Sequence, residues 1–79
     1  AVIENCCGGF IYATQRNRFF LGDTLEIFSP GCKPVIVKPE KIFNEKHEEI
    51  TSVNHAMMKF YFQCNHKFPK NSIIRKKVN

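Results

Sequence analysis

RNRFFLGDTLEIFSPG, residues 16–31, decides the fold. Arg16-Asn17-Arg18 is a polar turn. Phe19-Phe20-Leu21 returns to apolar character, and Gly22-Asp23 is a second turn signal. From Thr24 to Ser29, Leu25 and Ile27 alternate against Glu26 and Phe28. That period of two belongs to strands, whose successive side chains point to opposite faces. Pro30-Gly31 closes the segment with a strong turn dipeptide. Two short strands punctuated by tight turns within sixteen residues leave little room for a helix.

The same grammar extends both ways. Upstream, Phe10 to Gln15 is rich in aromatic and β-branched residues, and Gly8-Gly9 bends the chain into it. Downstream, Val35-Ile36-Val37 is a β-branched run halted by Pro39, and Glu40 to Phe43 continues as a bent strand. Asn44 to Glu49 is a charged turn, and Ile50 to Met58 reads as a strand running into a loop. Lys59 to Cys64 puts Phe60, Phe62 and Cys64 on one face, with Tyr61 and Gln63 on the other. Ser72 to Lys76 supplies a last strand, and residues 76–79 are expected to fray. The sum is an all-β domain of about six strands, a small closed or partly open β-barrel. Phe19 and Phe20 are both expected inside, because so short a chain needs its large apolar residues there.

Seventy-nine residues allow one domain. A hydrophobic share of 43%, with eight Phe, suffices for one core and argues against disorder. The sequence opens at Ala1 with no charged region followed by an apolar run, so no signal peptide is expected. An abrupt start fits a domain excised from a larger chain. No stretch approaches the roughly 18 apolar residues of a membrane span. The cysteines Cys6, Cys7, Cys32 and Cys64 are expected reduced, and the location cytoplasmic. Cys6 and Cys7 are adjacent on an extended chain, so at most one of them faces the core.

The residues give no catalytic constellation. Cys64-Asn65-His66 offers two metal ligands, but there is no CxxC or HExxH, and four ligands are needed for a closed zinc site. His47, His55 and His66 lack a nucleophile signature beside them. Glu45, Glu48 and Glu49 belong to a solvated turn, and Gly8-Gly9 is not a phosphate loop. No catalytic residue, metal or cofactor is therefore expected. The net charge of +5, the turn Arg16-Asn17-Arg18 with its two basic residues, and Arg75 and Lys76 near the end make Arg16, Asn17, Arg18, Arg75 and Lys76 the candidates for binding substrate or RNA. Beside Phe19-Phe20, stacking of bases is the alternative to a polar turn followed by core phenylalanines, and the core reading is preferred.

The ordered residues resemble the C-terminal domain of peptidase family U-32, the collagenase-like proteases. Gly9, Asn17, Phe19, Gly22, Asp23, Leu25, Glu26 and Pro30 stand where that pattern has its leading Gly, Asn-x-Phe turn, Gly-Asp-x-Leu-Glu run and Pro-Gly turn. Val35-Ile36-Val37, Ile42 and Ile73-Ile74-Arg75 follow in order, so the likeness covers Gly8 to Arg75. The stretch from Asn44 to Met58 departs from it: the family has an Asp-Gly turn where this chain has Asn44-Glu45-Lys46-His47.

The resemblance implies a small β-barrel similar to a barrel domain of translation elongation factors, following a separate N-terminal catalytic domain. It implies a non-catalytic accessory domain that binds or positions substrate for a parent peptidase. Its partners would be the catalytic domain of its own chain and a protein substrate or RNA, with no membrane. The alternative is an RNA-binding module of an RNA-modifying hydroxylase of the same family. The matched Gly, Phe, Asp, Leu, Glu and Pro residues read as fold-forming: Gly22 and Asp23 make the turn, Leu25 enters the core, and Glu26 faces away from it.

Overall fold

Two glycines at adjacent positions, Gly8 with φ 60° and Gly9 with φ 84°, set the first hairpin. Both central residues of such a two-residue turn need positive φ, which glycine adopts without a Cβ penalty. The turn joins β1 (Val2–Cys7) to β2 (Phe10–Thr14), with Cys7 opposite Phe10. The computed structural model describes residues 1–16 and 18–77. Eight further strands follow: β3 (Phe19–Phe20), β4 (Leu25–Phe28), β5 (Val35–Val37), β6 (Ile42–Asn44), β7 (Glu49–Ile50), β8 (Ser52–Val53), β9 (Lys59–Gln63) and β10 (Ile73–Lys76).

Eight of them form one antiparallel sheet in the order β5-β4-β10-β1-β2-β9-β6-β7. β3 and β8 pair separately, Phe19 opposite Val53. Leu25 and Ile27 from one side of the sheet and Ile42 and Phe62 from the other are fully buried in a single core. Strands that far apart share one interior only if the sheet curls on itself, as in a barrel. The β3–β8 pair adds Phe19 and Val53 to the same interior, where the Phe19 ring meets Phe60 edge-on at 5.2 Å.

The all-β class holds, and the strand count rises from about six to ten. Two features of short strands hid the difference. β1 lies before the double glycine, which reads as a bend at a strand start but acts as a hairpin turn. Glu40 to Phe43 does not continue the preceding strand: buried Pro39 breaks the run, and β6 crosses over to pair with β9 while β5 stays at the far edge. The closing strand runs in register through Lys76 opposite Leu25, and the Lys77 amide donates to the Thr24 carbonyl. Val78 and Asn79 lie outside the described residues.

Phe19 and Phe20 separate as neighbours on a strand must. Phe19 is buried and Phe20 is 52% exposed, so only one of the two expected core phenylalanines is inside. Cys6 and Cys7 divide likewise: Cys6 packs against the core and Cys7 is exposed.

Candidate functional site

The outward face of β2, β9 and β6 carries an aromatic row that the core does not use. Register places Tyr12 opposite Tyr61 and Tyr61 opposite Phe43. Residues paired across an antiparallel sheet share a face, and their side chains touch. The Tyr61 ring stacks on Phe43 at 5.1 Å, lies tilted against Tyr12 at 5.1 Å, and meets Phe10 edge-on at 5.7 Å. Tyr12 remains 38% exposed.

His47 completes the row from the β6–β7 turn. That turn is tightly built: the Asn44 side-chain oxygen accepts the Lys46 and Glu48 amides, and the His47 amide donates to the Asn44 carbonyl. It holds His47 at φ 66°, in the left-handed region that disfavours a Cβ. The imidazole Nδ1 then lies 2.8 Å from the Tyr61 hydroxyl.

Two hollows flank the row. One of about 510 Å³ is walled by Tyr12, Tyr61 and His47 and rimmed by Glu4, Glu45 and Lys59. The other, of about 600 Å³, is walled by Phe10 and Phe43 and rimmed by Lys38, Glu40 and Lys41. Glu4 sits at a register shift in β1, accepts from the Thr14 hydroxyl, and lies 3.9 Å from the Lys59 ammonium. The face therefore offers stacking surfaces with charges of both signs at its margins.

The residues singled out from the sequence lie elsewhere. Arg16 places Nη1 3.1 Å from the Met57 sulfur, beyond the end of β2. Arg18 is exposed, and Asn17 lies outside the described residues. Arg75 faces outward on β10 with its guanidinium 4.7 Å above the Phe28 ring, and Lys76 reaches Asp23 at 3.6 Å. Each of these basic groups thus has a different local environment, and none lines the hollows beside Tyr61. The signal for the aromatic row was present in the sequence: Tyr12 and Tyr61 occupy the phase of their strands that should be polar.

The matched turn residues do local work. Phe20 to Asp23 forms a turn in which the Asp23 amide donates to the Phe20 carbonyl. Gly22 holds φ 95°, and the Phe20 amide donates to the Asp23 carboxylate at 2.7 Å. Leu25 is fully buried, Glu26 is half-buried on the outer face opposite Arg75, and Phe19 is in the core. Pro30 lies in a turn closed by the Cys32 amide donating to the Ser29 carbonyl, and Gly9 lies in the first hairpin.

Among the described residues, no three His, Cys, Asp or Glu side chains gather where they could hold a metal ion. Cys6 exchanges long contacts with the Phe68 backbone, its sulfur 3.5 Å from the carbonyl and 3.4 Å from the amide nitrogen. The Ser72 hydroxyl donates to the Pro69 carbonyl. No helix of the described residues is long and apolar enough to cross a membrane.

Comparison with known proteins gives a consistent answer. The family described as Peptidase family U32 C-terminal domain matches residues 2–75. The crystal structure of the C-terminal domain of a protein from Geobacillus thermoleovorans assigned to the U32 peptidases superposes with a TM-score of 0.87 at 26% identity, covering 98% of this chain and 88% of that one. The selenomethionine variant of the same domain gives 0.84 at 26% identity, covering 95% and 93%. No curated protein matches. With its family pattern matched over residues 2–75 and its fold shared with a solved relative, the chain belongs to the U32 peptidase C-terminal domains.

Proposed function

We propose that this chain is a non-catalytic accessory domain of a U32-type peptidase, and that its aromatic face holds a polypeptide substrate for a separate catalytic domain. The observation that carries this reading is the row Phe10, Tyr12, Phe43 and Tyr61 on the outer side of the sheet. Large rings left half-exposed in a chain this small are withheld from a core that would gain from them. A row two to three strands wide, with a hollow at each side, suits an extended chain whose side chains alternate between stacking and pointing away. Both rims mix the two signs, Glu4, Glu45 and Lys59 at one hollow and Lys38, Glu40 and Lys41 at the other, which favours a polypeptide over a phosphate backbone.

The test uses the full-length parent enzyme and labelled casein. Tyr61→Ala should raise KM severalfold and leave kcat near the wild-type value, the pattern of lost uniform binding. Turnover by the 79-residue domain alone, or an unchanged KM in Tyr61→Ala, overturns the reading. Salt-sensitive binding of single-stranded RNA that Tyr61→Ala abolishes would replace the polypeptide with RNA.

A further inference from the structure

A second outer face lies across the sheet from the aromatic row, on β5, β4 and β10. Register puts Ile73 opposite both Phe28 and Val2, and Glu26 opposite both Ile36 and Arg75. These residues share one face, and it is the outer one, since their sequence neighbours Ile74, Leu25 and Ile27 are buried. Ile36 is 48% exposed and Ile73 is 52% exposed. Two β-branched residues this open, beside half-buried Phe28 and Val2, form an apolar patch. The Arg75 guanidinium lies over the Phe28 ring, and the carboxylate of Glu26 faces the same side.

The register also says what comes next to this patch. Ala1 and Ile74 are joined by two backbone bonds: the Ile74 amide donates to the Ala1 carbonyl, and the Ala1 nitrogen donates to the Ile74 carbonyl. Val2 is opposite Ile73 in antiparallel pairing. A residue preceding Ala1 would therefore lie opposite Arg75, at the head of the outward row Arg75, Glu26, Ile36. In a parent chain that carries this domain at its C-terminal side, the upstream polypeptide joins β1 at the margin of this face. In such a chain, covalent linkage at Ala1 raises the effective concentration of the upstream part near the patch.

We infer that the Ile36, Phe28 and Ile73 face docks the upstream part of the same polypeptide. The inference rests on reading the chain as an accessory domain of a larger enzyme, and it leaves the aromatic row on the other side of the sheet free for substrate. The apolar residues supply the buried centre of the contact, and Arg75 and Glu26 give it a charge of each sign at its margin. Ile73 and Ile36 lie outside the core of this domain, so changing them should disturb the docked arrangement more than the fold.

The test uses full-length parent enzyme, footprinted with hydroxyl radicals and measured by small-angle scattering. Phe28 should be labelled severalfold less in the wild type than in an Ile36→Glu, Ile73→Glu variant, and the variant should have the larger radius of gyration. A milder Ile73→Thr change, which suits a strand, should give an intermediate result if the double variant misfolds. Equal labelling of Phe28 in wild type and variant, with no change in radius, overturns the inference. Protection that appears only with a concentration-dependent doubling of mass assigns the face to a second copy and also overturns it. Protection of this face together with an unchanged KM in Tyr61→Ala would leave the docking intact and remove only the substrate-positioning reading.

Discussion

The His47 imidazole Nδ1 lies 2.8 Å from the Tyr61 hydroxyl, and a backbone φ of 66° brings it there. Left-handed backbone costs a β-substituted residue stability, yet the turn accepts it and aims the ring at the centre of the aromatic row. Tyr61 is thus held from above by His47 and from both sides by Phe43 and Tyr12.

The ring and the hydroxyl of Tyr61 should separate cleanly. Tyr61→Phe removes one exposed hydrogen bond and should cost about 0.5 kcal/mol. Tyr61→Ala removes contacts with Phe10, Tyr12, Phe43 and His47 and should cost about 2 kcal/mol. Urea unfolding of the two variants measures the difference. Equal losses would mean that the hydroxyl, not the stacking, secures the ring.

The turn at Gly22 is limited by backbone and not by space. No atom lies within 4 Å of where a Cβ would stand, but φ is 95°. Gly22→Ala should therefore cost about 1–2 kcal/mol from conformation alone. Asp23→Ala should lose about 1 kcal/mol with its bond to the Phe20 amide. Lys76→Ala, which breaks only an exposed ion pair, should change stability by under about 0.5 kcal/mol. Thermal melts of the three would rank them, and a Lys76 effect as large as that of Asp23 would overturn the assignment.

Phe62 is fully buried and pairs with Ile11 and Ile42 on either side. Phe62→Leu should cost about 1–2 kcal/mol, and Phe62→Ala about 3–5 kcal/mol. The second figure approaches the whole stability of a domain this small, so Phe62→Ala should be largely unfolded by circular dichroism at room temperature. A well-folded Phe62→Ala protein would show that the core has slack the packing does not reveal.

The Ala1 amine should give the 79-residue chain a pH dependence of its own. Burial first, and the Arg16 charge second, lower its pKa from the ordinary 8.0. The unfolded chain therefore binds this proton more tightly than the native one. Below the folded pKa both states are protonated and the native state carries the full penalty. As pH rises through the folded pKa towards 8.0 the penalty fades, and above 8.0 it is gone. The melting temperature should rise as the pH climbs from below the lowered folded pKa to above 8.0, and acetylating the amine should remove this increment. Identical pH profiles for the free and acetylated chains would exclude the effect.

Most of the strands could be read from the sequence because alternation and turn residues agree there. Leu25 and Ile27 against Glu26 and Phe28, or Phe60 and Phe62 against Tyr61, leave one choice of inward face. β1 was harder to read, since a bulge at Glu4 breaks its alternation and Asn5 pairs with Tyr12 out of phase with Ile3. The short strands β7 and β8, each two residues long, have too little length to show any period. The candidate site was less legible than the fold. Charge along the chain drew attention to Arg16, Arg75 and Lys76, but only the pairing of β2, β9 and β6 reveals that Phe10, Tyr12, Phe43 and Tyr61 meet. Contacts between residues 12, 43 and 61 are set by topology, which no local pattern encodes.

The position of β10 orders the assembly of the domain in time. It joins β4 to β1 in the middle of the sheet, yet it is the last in sequence of the strands among the described residues. During synthesis, β1, β2, β9, β6 and β7 can pair on one side and β4 with β5 on the other, and within the large sheet no strand bridges them until Ile73–Lys76 has left the ribosome. The seam between β4 and β1 then closes last, so removal of those four residues leaves the two parts of the large sheet unpaired there and opens the apolar interior to water.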